Sequence, residues 1–152
     1  MTENSTKADR TMTLERLIHA TPEAVWRAWT DPEMLPRWFG PAGYSCKTKE
    51  IDLRTGGLWR FDMIGPDGTI WPNRHHTLTY APHHTITFLL DDDTDASTPM
   101  DVTVTLAPQD GGTFLTQKIF MPSAEAYAGA KAFGAIELGQ TTLAKLAALV
   151  EA

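Results

Sequence analysis

The chain has 152 residues, enough for one domain with a substantial core and too few for two comfortable ones. Hydrophobic residues make up 42% and charged residues 21%, a globular rather than a disordered composition. A net charge of -6, with 13 basic residues scattered among 19 acidic ones, argues against a nucleic-acid partner and against anionic membrane surfaces.

Residues 1–9 are polar and read as a flexible tail ahead of a single domain over residues 10–152. They contain no apolar signal-peptide core, so a cytoplasmic location is the expectation. No apolar run reaches the roughly 18 residues of a membrane span, so no membrane insertion is expected. Cys46 is alone, which excludes an internal disulfide and a Cys-based metal site.

Residues 11–19 form an imperfect alternating strand, with Arg16 on the side of Leu14 and Ile18. Thr21, Pro22 and Glu23 then supply a cap, a first helical position and a first-turn acid. Ala24, Val25, Ala28 and Trp29 make an apolar stripe at helical spacing. Asp31-Pro32-Glu33 repeats the signal for a second short helix carrying Met34, Leu35 and Trp38, and Gly40-Pro41 ends it.

The period then changes to two. Strands are predicted over residues 44–53, 58–64, 70–80, 84–90, 100–107 and 113–121. Trp59, Phe61 and Met63 share one face of theirs. Gly65-Pro66-Asp67-Gly68 has the chemistry of a tight turn. Pro72 suggests an edge or a bulge. Residues 123–151 would span about 40 Å if wholly helical, with Ser123 as cap and a break expected near Gly129, each glycine weakening the helix by up to about 1 kcal/mol.

Successive strands with short connections imply an antiparallel meander, and one long terminal helix can bury its apolar face only against that sheet. The fold class is therefore α+β: a curved antiparallel sheet wrapped around a long C-terminal helix, with two short helices after the first strand.

The runs "TPEAVWRAWTDPEMLPRWFGPAGY" and "LRTGGLWRFDMIGPDG" resemble the activator of heat-shock-protein ATPase homologue family, within the START-like (SRPBCC) superfamily. "WPNRHHTLTY" and "FGAIELGQTTLAKLAALVEA" are similar to the following strand and closing helix of one bacterial branch, so the resemblance covers residues 11–152. It implies a helix-grip fold with a deep cavity for a small lipophilic molecule. It does not imply heat-shock ATPase activation, although a chaperone-interacting module is one reading the family name allows. Two departures are the paired histidines of "HHTLTYAPHHTITF" and Leu138, which stands where the branch often has a small residue.

The candidate ligand-binding residues are Trp38, Phe39, Trp59, Phe61, Met63, Trp71, Arg74, His76, Phe88, Phe120, Phe133 and Glu137. The plain alternative for the aromatics is core packing. The argument for a cavity is strongest for the tryptophans, because a buried indole N–H needs a partner. Glu137 lies beside an apolar helix face, and Arg16 and Arg74 are both candidate ion-pair partners for it. If the chain is an enzyme of the cyclase or hydrolase type, Glu137, His76 and Arg74 would carry general acid–base chemistry. His76 and His84 could face each other across a hairpin, yet without further ligands no metal is expected. No cofactor is expected either: phosphate-binding glycine motifs and nucleophile elbows are missing. The acidic run Asp91-Asp92-Asp93 with Asp95 lacks calcium-loop spacing and reads as a solvated loop. Homodimerisation through a sheet face or edge strand stays open.

Overall fold

The computed structural model describes residues 10–152; the polar segment 1–9 lies outside the described residues. Strand β1 (Thr11–Ile18) is followed by helices α1 (Pro22–Thr30) and α2 (Leu35–Trp38). Six strands follow: β2 (Ser45–Ile51), β3 (Leu58–Ile64), β4 (Ile70–Ala81), β5 (Thr85–Asp91), β6 (Met100–Gln109) and β7 (Gly112–Phe120). Helices α3 (Ala124–Phe133) and α4 (Ala135–Glu151) close the chain. The seven strands make one curved antiparallel sheet in the order β1-β7-β6-β5-β4-β3-β2, with α4 packed on it. The helix-grip arrangement is present.

Local chemistry explains the elements. The Thr21 hydroxyl accepts the Ala24 N–H at 3.2 Å, and Pro22 opens α1. Edge strand β2 is mostly exposed, with Cys46 and Ile51 packed against the core, and carries Lys47, Lys49 and Glu50, a composition that blunts edge-to-edge pairing. Register shifts between Thr48 and Glu50 and between Thr77 and Thr79 bend the sheet. Pro72 sits in an interior strand, but β4–β5 pairing begins only at Arg74, so the β5 side of Pro72 is locally an edge.

The terminal helix is broken, as expected, but the break lies at Gly134 rather than near Gly129. Gly134 has φ +91°, ending α3 and opening α4. That left-handed conformation strains any residue with a Cβ. Gly129 stays inside α3. Gly139 is needed for a different reason. A Cβ built there would lie 2.6 Å from Leu14 Cδ1, so a bare backbone lets α4 settle directly on β1.

The core is dense on the side of α1 and α2. Trp38, Trp59, Phe61, Ile18, Leu35, Leu115, Leu143 and Leu146 are all fully buried. Phe39, Trp59, Phe61 and Phe88 surround the His75 ring at centroid distances of 4.7, 4.8, 5.5 and 4.3 Å.

Candidate functional site

Beyond that dense region, towards Gly134, the helix and the sheet separate into an apolar cleft of about 360 Å³. Its floor is Met12 and Leu14 of β1 with Gln117 and Ile119 of β7. Leu90 and Met100 also line it, as do Met63 and the adjacent Phe39, Gly40 and Pro41. Ala135, Leu138, Gly139 and Thr142 of α4 form the roof. A shallower mouth of about 350 Å³ opens between Pro41, Tyr44, Met63, Trp71, Phe133 and Leu138. Trp71 and Phe133 stand at this mouth 48% and 67% exposed. No charged side chain lines the cleft or its mouth among the described residues.

Helix α4 holds one wall in place. Lys145 Nζ donates to the carbonyls of Gly40 (3.0 Å), Pro41 (3.4 Å) and Tyr44 (3.3 Å), and Thr141 Oγ1 accepts the Ala42 N–H at 3.0 Å. Burial lowers the Lys145 pKa below the ordinary lysine value. Beneath this loop the Cys46 thiol donates to the Phe39 carbonyl at 3.3 Å. Burial pushes its pKa up to about 12, against the lowering effect of Lys145. A thiol that stays protonated is a poor nucleophile. Iodoacetamide at pH 8 should therefore leave native Cys46 unlabelled over hours and label it within minutes in denaturant; rapid labelling of the native protein would contradict this burial.

Only some of the sequence-chosen residues meet at the cleft. Phe39 and Met63 line it, and Trp71 and Phe133 frame the entrance. Trp38, Trp59, Phe61 and Phe88 belong instead to the dense core. The indole argument for a cavity around them fails because their N–H groups are satisfied internally. Trp38 Nε1 donates to the Ala28 carbonyl at 2.9 Å, and Trp59 Nε1 donates to Thr48 Oγ1 at 3.0 Å.

Arg74 and His76 flank the buried His75 on β4, so strand alternation puts both on the sheet face opposite the core. Arg74 pairs there with Asp91 (3.0 and 2.6 Å) and Asp95 (3.0 Å), and Arg60 pairs with Asp93 (2.9 and 3.1 Å). The acidic run is thus a loop fastened by two arginines rather than simply solvated, and Arg60 holds the Asp93 carboxyl below its ordinary pKa. Phe120 also falls on the outer face, with the Arg10 guanidinium 4.8 Å from its ring. Glu137 is exposed on the first turn of α4 and pairs with neither Arg16 nor Arg74. Arg74, His76 and Glu137 therefore do not converge in one cavity. His76 lies opposite Leu89, well removed from His84 at the turn.

Gln117 was not among the sequence candidates. Its signal was available: in β7 it occupies the inward position between Leu115 and Ile119. It is only 8% exposed, and its carboxamide makes no hydrogen bond among the described residues.

The family described as "Activator of Hsp90 ATPase homolog 1-like protein" matches residues 19–151. A crystal structure of a Chromobacterium violaceum protein is 32% identical, with a TM-score of 0.78 over 93% of this chain and 98% of that one. A Mycobacterium smegmatis protein is 26% identical, with a TM-score of 0.84 over 97% and 95%. An AHSA1-like protein from Aeromonas hydrophila, 24% identical with a TM-score of 0.71 over 93% and 92%, shares the fold. No curated protein matches the chain. No helix among the described residues is long and apolar enough to cross a membrane.

Proposed function

The chain belongs to the Activator of Hsp90 ATPase homolog 1-like family, and from that premise we propose that it holds a small apolar or amphipathic ligand in the cleft between α4 and the sheet. One observation carries the reading: about 360 Å³ of apolar space, open at one end, beside a core that is otherwise close-packed. Its size falls in the roughly 300–1,000 Å³ range of small-molecule pockets. Water inside such walls finds few partners and is readily displaced. A ligand there recovers about 25 cal/mol for each Å² of apolar surface taken from water.

A thermal-shift panel of alkyl alcohols, alkylbenzenes and fatty acids tests this reading. A ligand at a hundred times its Kd stabilises the fold by about 2.7 kcal/mol, which raises the melting temperature by roughly 8 °C for a chain of this size. Leu138→Trp places a bulky ring at the cleft mouth and should abolish the shift. No shift with any compound in the wild-type protein, or an equal shift in Leu138→Trp, would contradict the proposal.

A further inference from the structure

We propose that Gln117 selects the ligand: a neutral molecule whose apolar body fills the cleft and whose hydroxyl, carbonyl or amide group hydrogen-bonds to the Gln117 carboxamide, ionised carboxylates being rejected. This inference rests on the reading of the cleft as a ligand site.

Gln117 is more than nine-tenths buried, lines the cleft, and has no hydrogen-bond partner among the described residues. Its carboxamide is not sealed inside the protein but reaches the cleft, where a ligand can meet it, and a strand position between Leu115 and Ile119 would ordinarily hold an aliphatic residue. Its cross-strand neighbours, Leu14 on β1 and Val104 on β6, offer only apolar side chains. The backbone on both sides is engaged in ladder pairing along its length. The other polar side chain of the cleft, Thr142, directs its hydroxyl to the Leu138 carbonyl at 3.4 Å. Gln117 is therefore the polar group left for a ligand to satisfy. A carboxamide offers both two N–H donors and an acceptor oxygen, so a hydroxyl, ketone or amide can meet it equally well.

Rejection of ions follows from what is missing in the walls. No charged side chain lines the cleft among the described residues. The ammonium of Lys145 is turned to the carbonyls of Gly40, Pro41 and Tyr44. A carboxylate entering would lose its hydration and find one neutral amide in exchange.

Isothermal titration at pH 7.5 with 4-propylphenol, propylbenzene and 4-propylbenzoate separates the claims. The wild-type protein should bind 4-propylphenol about tenfold more tightly than propylbenzene, the ratio expected of one buried hydrogen bond. It should bind 4-propylbenzoate at least tenfold more weakly than the phenol. In Gln117→Leu the phenol should fall to the affinity of propylbenzene, which itself stays within about twofold of wild type. The variant should melt close to the wild type, since the carboxamide makes no hydrogen bond among the described residues that the substitution would break; Gln117→Met, unbranched and closer in shape, provides the same test if Leu packs badly. Equal binding of phenol and propylbenzene to the wild type, or a phenol preference that survives both substitutions, overturns the anchor while leaving the cleft reading standing. Benzoate bound as tightly as phenol overturns the neutral-ligand claim. No binding of any probe to either protein overturns the cleft reading and the anchor together.

Discussion

Trp38→Ala should lower folding stability by about 4 kcal/mol, the usual cost of truncating a fully buried tryptophan. The side chain is 1% exposed and meets Trp29 edge-on at 4.7 Å and Phe39 at 5.7 Å. Its indole N–H also satisfies the carbonyl of Ala28, one of the last-turn carbonyls of α1 that have no partner within the helix. The substitution thus opens a void and frees a helix terminus at once. Urea unfolding should show the loss as a lower midpoint with an unchanged slope. A cost below about 1 kcal/mol would mean that this ring faces open space, as a ligand-lining role requires, and would place the cavity where the structure has solid core.

Lowering the pH should expose His75. Burial among Phe39, Trp59, Phe61 and Phe88 pushes its pKa from 6.5 down to about 3, and its Nε2 has no hydrogen-bond partner among the described residues. Above pH 6.5 the ring is neutral in both the folded and the unfolded chain, and the fold has its full stability. Between pH 6.5 and 3 the unfolded chain takes up a proton that the folded chain refuses, so stability falls with pH by about 1.4 kcal/mol per unit. The loss should reach about 2 kcal/mol at pH 5. His75→Phe keeps a ring stacked on Phe88 and removes the titration. The difference in stability between wild type and variant cancels the carboxylates common to both. It should slope through this window; a flat difference would mean that His75 is protonated inside the fold.

How much of this was legible before the structure depends on whether the deciding partner is near in sequence. Trp59, Phe61 and Met63 on one face of β3, the Pro66-Asp67-Gly68 turn and the meander follow from alternation and turn chemistry, which are local. The helix break was misplaced because Gly129 and Gly134 sit in similar helix-forming surroundings, and only the seating of α4 on β1 selects Gly134. The tryptophans misled for a related reason. Nothing local shows that Ala28 and Thr48, ten and eleven residues away, would satisfy the indoles of Trp38 and Trp59. Arg74 and His76 were attractive as chemistry, yet their parity relative to His75 already put them outside. The same parity put Gln117 inside. For polar residues in these strands, position along the alternation decides the face, whatever the side chain's chemistry.

The central claim is that the ligand sits at the open end of the helix–sheet interface and not among the buried aromatics. Methyl-labelled protein and 4-propylphenol, examined by intermolecular nuclear Overhauser effects, test it most directly. Contacts are expected from the probe to Leu14, Ile119 and Leu138, and none to Val25 or Leu35 beside Trp38. Contacts to that second group, or to Ile70 on the exposed strand end alone, would contradict the account.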